Sequence, residues 1–150
     1  MATTRIRVKR LSPQARVPGR AYDGDAAYDL HAAVDVDLAP NERAVVPTGI
    51  ALGLPAGVAA LTVPRSGLAA RHGITIVNSP GLIDPGYRGE VRIVLLNTDS
   101  EHTFAIRTGD RIAQLLLVDF VDAEFHEVDD LDETERGERG FGSSGTAARH

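Results

Sequence analysis

One carboxylate stands where the sequence joins a tight turn to a long apolar strand. Asp84 begins the segment Asp84-Pro85-Gly86-Tyr87, in which proline fixes φ at the second position and glycine tolerates a positive φ at the third. This pattern predicts a type II turn that places the carboxylate and the Tyr87 ring at the mouth of a β-hairpin. A carboxylate on a rigid element can orient a water molecule and take its proton. The simpler interpretation is that Asp84 only accepts backbone hydrogen bonds at the turn.

The residues after this turn predict the strand that holds it in place. Val91, Ile93 and Leu95 alternate with a second set of side chains that begins with Arg92. Alternation with a period of two is typical of a half-buried strand with one apolar face toward the core. We therefore expect the carboxylate to be carried by the sheet itself.

The composition predicts a single all-β domain. A chain of 150 residues can bury a core without disulfides or a structural metal. Its 15 glycines and 8 prolines, with no tryptophan, indicate many short strands joined by turns in a barrel or sandwich. The absence of cysteine excludes disulfides, thiolate zinc sites and a cysteine nucleophile, and it leaves the redox compartment open.

Charge and apolar patterning limit the partners of the chain. A net charge of −5 argues against a protein that coats DNA or an anionic membrane, because both require a basic surface. The first ten residues lack an apolar stretch, so we expect no secretory signal. Residues 44–64 carry no charge, but their prolines and glycines predict two buried strands joined at Leu54-Pro55-Ala56-Gly57, not a membrane helix.

Residues 64–73 form the clearest helical segment. Ser66 is the predicted N-cap, and Gly73 is predicted to end the helix in the left-handed conformation. The free N–H groups at the start of this helix, together with Arg65 and the Ser66 hydroxyl, favour an anion. Most short capped helices bind nothing, so a purely structural role is the alternative.

The acids of residues 21–33 do not predict a calcium loop. Asp23, Asp25 and Asp29 lack the glutamate that closes an EF-hand at its twelfth position. Asp29 on its own is open to a simpler interpretation, as an acid at a strand end that pairs with an arginine. The five histidines are scattered singly, and none is assigned a catalytic role.

Residues 74–81 read as a strand that ends in turn residues. With the segment that follows, it predicts a hairpin around Leu82 and Ile83. A hairpin that opens slightly can offer main-chain N–H and C=O groups to the edge of a base.

The composition changes sharply after Phe125. An acidic run predicts a solvated linker; its members are Glu127, Asp129, Asp130, Asp132, Glu133 and Glu135. Residues 136–145 contain too few apolar groups to fold alone, so this segment is predicted to be disordered without a ligand. We therefore divide the chain into a β-barrel core at 1–126, a linker at 127–135 and a glycine-rich tail at 136–150.

Five segments, taken in order, resemble the motifs of the trimeric dUTP pyrophosphatases (dUTPases). They are residues 26–30, in which Ala27 stands where glycine is commoner, and residues 64–69, 81–89, 109–115 and 136–145. Five motifs in the right order are far more specific than any one of them. The resemblance covers most of the chain.

The resemblance implies a fold, a reaction and an assembly. The fold is a jelly-roll β-barrel of the β-clip type with one short helix and a flexible C-terminal arm. The reaction is the hydrolysis of dUTP to dUMP and pyrophosphate with Mg²⁺, in the cytoplasm, which keeps uracil out of DNA and supplies dUMP for thymidylate synthesis. The assembly is a homotrimer in which one chain gives the hairpin, a second gives the phosphate motifs and a third gives the closing tail.

The resemblance also implies roles for the residues nearest the reacting phosphorus. Asp84 would deprotonate the attacking water, and Asp29 would hold a water on the magnesium that the triphosphate carries. The α- and β-phosphates would be bound by Arg65, Ser66 and Gly67.

For the nucleoside, the resemblance implies that Asn78, Leu82 and Ile83 recognise uracil. Hydrogen bonds to the uracil edge would reject cytosine, because the wrong base leaves buried groups unpaired. Tyr87 would pack on the sugar and exclude a 2′-hydroxyl, although an ordinary core tyrosine is the alternative. Arg92, beside this segment, would contact either the substrate or an acidic neighbour.

The remaining implied contacts come from the last two motifs. Asp110 and Arg111 would stabilise a turn and its ion pair. The contact to phosphate or water would come from Gln114. The tail would act as a lid. In it Arg136 would contact the γ-phosphate, Phe141 would cover the uracil face, and Gly142 and Ser143 would hold the phosphates.

Two other functions compete with this one. The dCTP deaminases share the fold and the turn, but they carry a catalytic glutamate in the following strand, where this chain has Val94. Valine cannot move protons, so deamination is disfavoured. The second competitor is a non-catalytic β-barrel that only binds nucleotides or another protein; Asp84 and the tail motif argue against it.

Overall fold

The computed structural model describes residues 3–141. Within this range it contains ten strands and one helix. They are β1 (Arg7–Arg10), β2 (Ala27–His31), β3 (Val36–Leu38), β4 (Arg43–Gly53), β5 (Val58–Val63), α1 (Ser66–His72), β6 (Ile74–Ile76), β7 (Gly81–Ile83), β8 (Glu90–Asn97), β9 (Phe104–Ile106) and β10 (Arg111–Asp119).

The strands form two four-stranded antiparallel sheets and one small pair. The strand order is β1-β4-β8-β6 in the first sheet and β2-β10-β5-β7 in the second, while β3 pairs with β9. The core lies between the two large sheets and takes aliphatic side chains from both, including Val46, Ile50 and Ile93 from the first and Leu30 and Leu115 from the second. The sheets do not close into one continuous barrel. The architecture confirms the predicted all-β jelly roll of the β-clip type with one short helix.

The apolar segment 44–64 forms two strands, as predicted. β4 and β5 are joined by a turn in which the Val58 N–H donates to the carbonyl of Pro55 at 3.3 Å, and Gly57 takes a φ of 78°. The single helix in residues 3–141 has seven residues, so nothing in that part of the chain could span a membrane as a helix.

A β-bulge interrupts β4 beside β8. The pairing register shifts between Pro47 and Ala51, and Gly49 inside the bulge takes a φ of 70°. The bulge is held from β8, because Thr48 Oγ1 donates to the carbonyl of Val91 at 2.6 Å. The Gly49 N–H donates to Glu90 Oε1 at 2.9 Å, so no ladder partner is needed there.

The start of α1 differs from the prediction. Arg65 is the N-cap residue, with φ −84° and ψ 123°, and Ser66 is already helical and makes no capping hydrogen bond. The prediction that Ser66 caps the helix is therefore wrong. Arg65 reaches Asp29 with its side chain, so a tertiary contact fixes this end of the helix. At the other end Gly73 is left-handed with φ 64° and donates to the carbonyl of Ala69, which confirms the predicted termination.

The hairpin predicted around Leu82 and Ile83 is present as a wide antiparallel pair of β6 and β8, but its connection is not a tight loop. β6 pairs with β8 in the first sheet, whereas β7 pairs with β5 in the second. β8 has β4 on one side and β6 on the other, so neither edge is left for β7. Asp84 therefore lies in the long connection from β6 to β8, at a corner where the chain passes between the two sheets.

The turn itself is present, although its type was predicted wrongly. The Tyr87 N–H donates to the carbonyl of Asp84 at 3.1 Å, which closes the expected four-residue turn. Gly86 is not in the left-handed region that a type II turn requires. Proline at the second position is compatible with other turn types, so the sequence pattern alone did not distinguish them.

β8 confirms the predicted alternation, since Val91, Ile93 and Leu95 are all buried and Arg92 is exposed. The last strand, β10, ends at Asp119, and residues 119–139 are exposed throughout.

Candidate functional site

A cavity of about 210 Å³ opens where β5, the corner after β7 and the start of β8 meet. We call it the turn cavity. It brings together six residues predicted from the sequence, namely Asn78, Leu82, Ile83, Asp84, Tyr87 and Arg92. It also contains four that were not predicted: Thr62, Gly81, Glu90 and Val91.

The position of β7 explains why main-chain groups are available in the turn cavity. β7 pairs with β5 on one side only, and among residues 3–141 no strand pairs with its other edge. Ile83 is buried, while the Leu82 side chain is exposed. The arrangement supports the expectation that the backbone of Leu82 and Ile83 can hydrogen-bond to the edge of a base.

Gly81 is required by the close approach of two polar side chains. A Cβ atom at this position would overlap Oγ1 of Thr62 and would lie 3.2 Å from Nδ2 of Asn78. Thr62 is buried on β5 and stands opposite Gly81 in the ladder. A polar residue in an otherwise apolar strand was the signal for Thr62 in the sequence, and its significance depends on which strand β5 pairs with.

Tyr87 is a half-exposed residue of the turn cavity, which rules out the alternative of a core tyrosine. Its hydroxyl donates to the carbonyl of Glu90 at 3.0 Å. Its ring covers Gly89 so closely that a Cβ atom at residue 89 would overlap the ring. The ring is therefore held in one orientation beside Asp84.

Arg92 contacts an acidic neighbour. Its Nε lies 2.9 Å from Oε2 of Glu90, and its side chain is 60% exposed at the rim of the turn cavity. Glu90 was missed by the sequence analysis because an acid at the start of a strand is common and carries no signal of its own.

A second group of predicted residues surrounds Asp29, which is 6% exposed. Asp29 lies 3.2 Å from Nη1 of Arg111 and 3.7 Å from Nε of Arg65. Arg65 also donates to the carbonyl of Arg111 at 3.0 Å. We call Asp29, Arg65 and Arg111 the acid–arginine cluster. It joins β2, β10 and the start of α1.

The other predicted phosphate-binding residues lie next to the acid–arginine cluster. Ser66 and Gly67 begin α1 directly after Arg65, and Gln114 stands opposite Asp29 in the β2–β10 ladder. None of these residues lines the turn cavity. Within one chain, the predicted site residues therefore form two separate groups.

The fourth motif has the structural role predicted for it. Asp110 accepts a hydrogen bond from the Arg107 N–H at 2.8 Å, which closes the turn before β10. Arg111 forms its ion pair with Asp29.

His31 lies beside Asp29 in a second cavity lined by Arg16, Arg20 and Arg111. Burial and the nearby Arg16 guanidinium lower the pKa of His31 below its ordinary value. The lowered pKa favours the neutral form of the ring.

Two predicted tail residues lie outside the turn cavity. Arg136 is exposed and its Nε donates to the carbonyl of Arg139 at 3.0 Å, while Phe141 is fully exposed. Gly142 and Ser143 lie outside the described residues.

Asp29 does not fit direct metal coordination. Each of its carboxylate oxygens faces an arginine, and metal binding at either would bring a cation into that contact. An ionised carboxylate keeps further lone pairs, so a contact through water remains compatible with this geometry. Residues 3–141 contain no group of three or more His, Asp or Glu side chains that could hold a metal ion.

The two open antiparallel sheets, with a carboxylate-bearing turn at the corner between them, define an all-β protein of the β-clip class. The model of the family described as dUTPase matches residues 13–145 of this chain. The chain is 54% identical over 143 residues to the deoxyuridine 5′-triphosphate nucleotidohydrolase of Thermobifida fusca, covering 95% of this chain and 80% of that one. It is 50% identical over 147 residues to the enzyme of the same name from Bifidobacterium longum subsp. infantis, covering 97% and 93% of the two chains.

Solved structures of dUTPases are also similar to this chain. The dUTPase of Staphylococcus bacteriophage 80alpha with dUPNHPP is 34% identical, has a TM-score of 0.89, and is matched over 96% of this chain and all of that one. A mutant dUTPase from phage phi11 of S. aureus, described with a structural Mg(II) ion, is 30% identical with a TM-score of 0.80, over 85% and 98% of the two chains. The chain belongs to the dUTPase family, a family of hydrolases.

Proposed function

We propose that this protein hydrolyses dUTP to dUMP and pyrophosphate. The observation that carries the proposal is the turn cavity, which joins the Asp84 carboxylate to the unpaired edge of β7 and to the Tyr87 ring. Family membership supports it, as does the structure of the phage 80alpha dUTPase with dUPNHPP.

In the proposed reaction Asp84 orients a water molecule and takes its proton. The water oxygen forms a bond to the α-phosphorus, and the bond from that phosphorus to the bridging oxygen breaks, so pyrophosphate leaves. Phosphoryl transfer of this kind depends mainly on positioning and on neutralising charge. Arg65, Ser66, Gly67 and Gln114 are the groups proposed to contact the phosphates.

Uracil is proposed to bind against the β7 edge, with Asn78 and the main chain of Leu82 and Ile83 reading its hydrogen-bonding edge. The thymine methyl group is excluded by bulk. Tyr87 packs against the sugar, and the fixed ring leaves no room for a 2′-hydroxyl. Val94 stands where the dCTP deaminases carry a catalytic glutamate, and valine cannot move a proton, so deamination of dCTP is disfavoured.

Magnesium is proposed to arrive bound to the triphosphate, as part of the substrate. Mg²⁺ keeps several of its waters and binds through few protein groups. Asp29 would hold one of those waters and leave its two arginine contacts in place.

The two separated groups of site residues support a shared site. We propose a homotrimer in which the turn cavity of one chain meets the acid–arginine cluster of a second. The tail of a third chain, residues 136–150 after an acidic linker at 127–135, closes the site. In it Arg136 contacts the γ-phosphate, Phe141 covers the uracil face, and Gly142 and Ser143 hold the phosphates.

The proposed role in the cell follows from the reaction. Removal of dUTP keeps uracil out of DNA, and the dUMP released supplies thymidylate synthesis. We propose that the protein acts in the cytoplasm on free nucleotides, without a nucleic-acid or membrane partner.

The test is incubation of the full chain with Mg²⁺ and dUTP, dCTP or UTP in parallel, while pyrophosphate and ammonia are followed. Pyrophosphate from dUTP alone is the expected result. Ammonia from dCTP would replace the proposal with deamination, and nucleotide binding without turnover would replace it with a binding function.

A further inference from the structure

Glu90 makes three contacts that converge on the turn cavity. Its Oε2 lies 2.9 Å from Nε of Arg92, and its Oε1 accepts the N–H of Gly49 at 2.9 Å. Its main-chain carbonyl accepts the Tyr87 hydroxyl at 3.0 Å. One residue thus connects the bulge of β4, the Tyr87 ring and the Arg92 guanidinium.

The charge of Glu90 is unfavourable for an anionic ligand unless it is balanced. The Glu90 side chain is only 18% exposed and lines the same cavity as the Asp84 carboxylate. Two carboxylates facing a triphosphate would repel it, and partial burial reduces the screening of that repulsion by water. Arg92 cancels the charge of Glu90 and leaves Asp84 as the net charge on this side of the cavity.

The contact also determines how Arg92 is presented. Glu90 engages Nε, and within residues 3–141 the two terminal nitrogens of Arg92 make no hydrogen bond. A guanidinium offers its terminal nitrogens as a planar fork to phosphate or hydroxyl oxygens. Fixing Nε orients this fork without occupying it.

We infer that Glu90 is a positioning residue for substrate binding. Its ion pair with Arg92 balances its own charge and orients the terminal nitrogens of Arg92 toward the bound nucleotide. This inference rests on the proposed function. It assigns Arg92 its role through Glu90, and it makes the two side chains one unit whose members cannot be removed independently.

The test is a double-mutant cycle of Glu90→Gln, Arg92→Met and the double variant, with KM and kcat for Mg²⁺–dUTP and Kd for a non-hydrolysable dUTP analogue. Glutamine keeps an acceptor for the Gly49 N–H and removes the charge. Glu90→Gln is expected to raise KM about threefold, the scale of an exposed ion pair. Arg92→Met is expected to raise KM about tenfold, because it leaves the Glu90 carboxylate unbalanced.

The double variant distinguishes a paired role of Glu90 and Arg92 in substrate binding from a purely structural role. If the residues act as a unit, adding Glu90→Gln to Arg92→Met lowers KM and Kd back to about threefold above wild type, with kcat little changed throughout. Additive losses, or unchanged KM with a lowered melting temperature, would mean a purely structural role and would overturn the inference. Glu42→Gln is the matched control, because Glu42 also accepts a backbone N–H, that of Ala39 at 2.7 Å, away from the cavity.

Failure of the inference is distinguishable from failure of the proposed function. If the wild-type protein binds the analogue but releases no pyrophosphate from dUTP, the proposed function fails. The Kd values of the variants for the analogue then decide the inference. A wild-type protein that neither binds nor hydrolyses overturns both. If Glu90→Gln does not fold, Arg92→Lys decides, since lysine keeps the charge but cannot offer a fork; an unchanged KM for that variant overturns the inference.

Discussion

Asp29 Oδ2 lies 3.2 Å from Nη1 of Arg111, across the β2–β10 ladder and beside the first turn of α1. Asp29 is nearly enclosed, whereas the two arginines that face it are only partly covered. The Asp29 carboxylate holds the guanidinium groups of Arg65 and Arg111 close together, so its removal affects the contacts of both arginines. The contact thus links three elements that are far apart in sequence.

Asp29→Asn is expected to lower the free energy of unfolding by about 1–2 kcal/mol, because it leaves Arg65 and Arg111 without a counter-charge in a partly buried site. Urea denaturation at neutral pH measures the change. Asp37→Asn is the control, since Asp37 pairs with Arg107 where both side chains are more than half exposed. Its effect is expected to stay below about 0.5 kcal/mol. Equal effects for the two variants would show that the enclosure of Asp29 contributes nothing.

Asp84→Asn is expected to keep the fold and the affinity for a dUTP analogue while kcat falls by about 10²–10⁴, the usual contribution of a general base. Calorimetry measures the affinity and pyrophosphate release measures kcat. Asp119→Asn, at the exposed end of β10, serves as the control. Turnover at the wild-type rate in Asp84→Asn would remove this residue as the base.

Gly89→Ala is expected to displace the Tyr87 ring, because a Cβ atom would overlap it. The displaced ring opens space beside the sugar, so the preference for dUTP over UTP, measured as the ratio of kcat/KM, is expected to fall about tenfold or more. Gly86→Ala is the comparison in the same turn, since a Cβ atom there meets nothing within 4 Å. A preserved ratio in Gly89→Ala would show that the position of Tyr87 does not set sugar selectivity.

Removal of residues 136–150 is expected to leave the melting temperature unchanged, because residues 136–139 are exposed and form no strand. Hydrolysis is expected to fall roughly 100-fold, the scale of losing correct positioning around the reacting atoms. Calorimetric melting and pyrophosphate release are the two measurements. Loss of the fold on truncation would contradict the lid interpretation of the tail.

Acid is expected to destabilise the protein through Asp35 and Asp99. The N–H and hydroxyl of Thr108 lower the pKa of Asp35, and the N–H groups of Glu101 and His102 lower the pKa of Asp99. A carboxyl whose pKa is lower in the folded chain stabilises the fold above its unfolded pKa of about 4, and this stability is lost as pH falls through the folded value. The urea midpoint should therefore fall from about pH 5 downward.

The variant Asp99→Asn isolates one of these two groups, because asparagine cannot titrate. The fall in its urea midpoint between about pH 5 and pH 3 is expected to be smaller than in wild type. An identical fall would show that Asp99 makes no contribution to acid unfolding.

The sequence predicted local features well and long-range pairing poorly. The alternation along β8 and the left-handed Gly73 are set by neighbouring residues, and both are found as predicted. The strand that pairs with β7 was not predicted, because periodicity indicates which residues face the core but does not indicate which strand lies alongside. The same limit explains why Thr62 was missed.

Tertiary contacts also account for the other differences at the site. Ser66 looked like an N-cap, but the extended backbone of Arg65 and its contact with Asp29 fix the start of α1. The role of Glu90 depends on its hydrogen bond to the bulge in β4, and no local sequence pattern predicted that bulge. The residues grouped by motif were found in two places because spacing along the chain does not specify spacing in the fold.

The open side of β7 has a consequence for solubility. An exposed strand edge can recruit another chain and start aggregation, and proteins usually limit that hazard by keeping such strands short. β7 has three residues, so it offers too brief a template for a stable intermolecular ladder. Hydrogen-bonding groups that would endanger a longer strand can thus remain accessible to a small planar molecule.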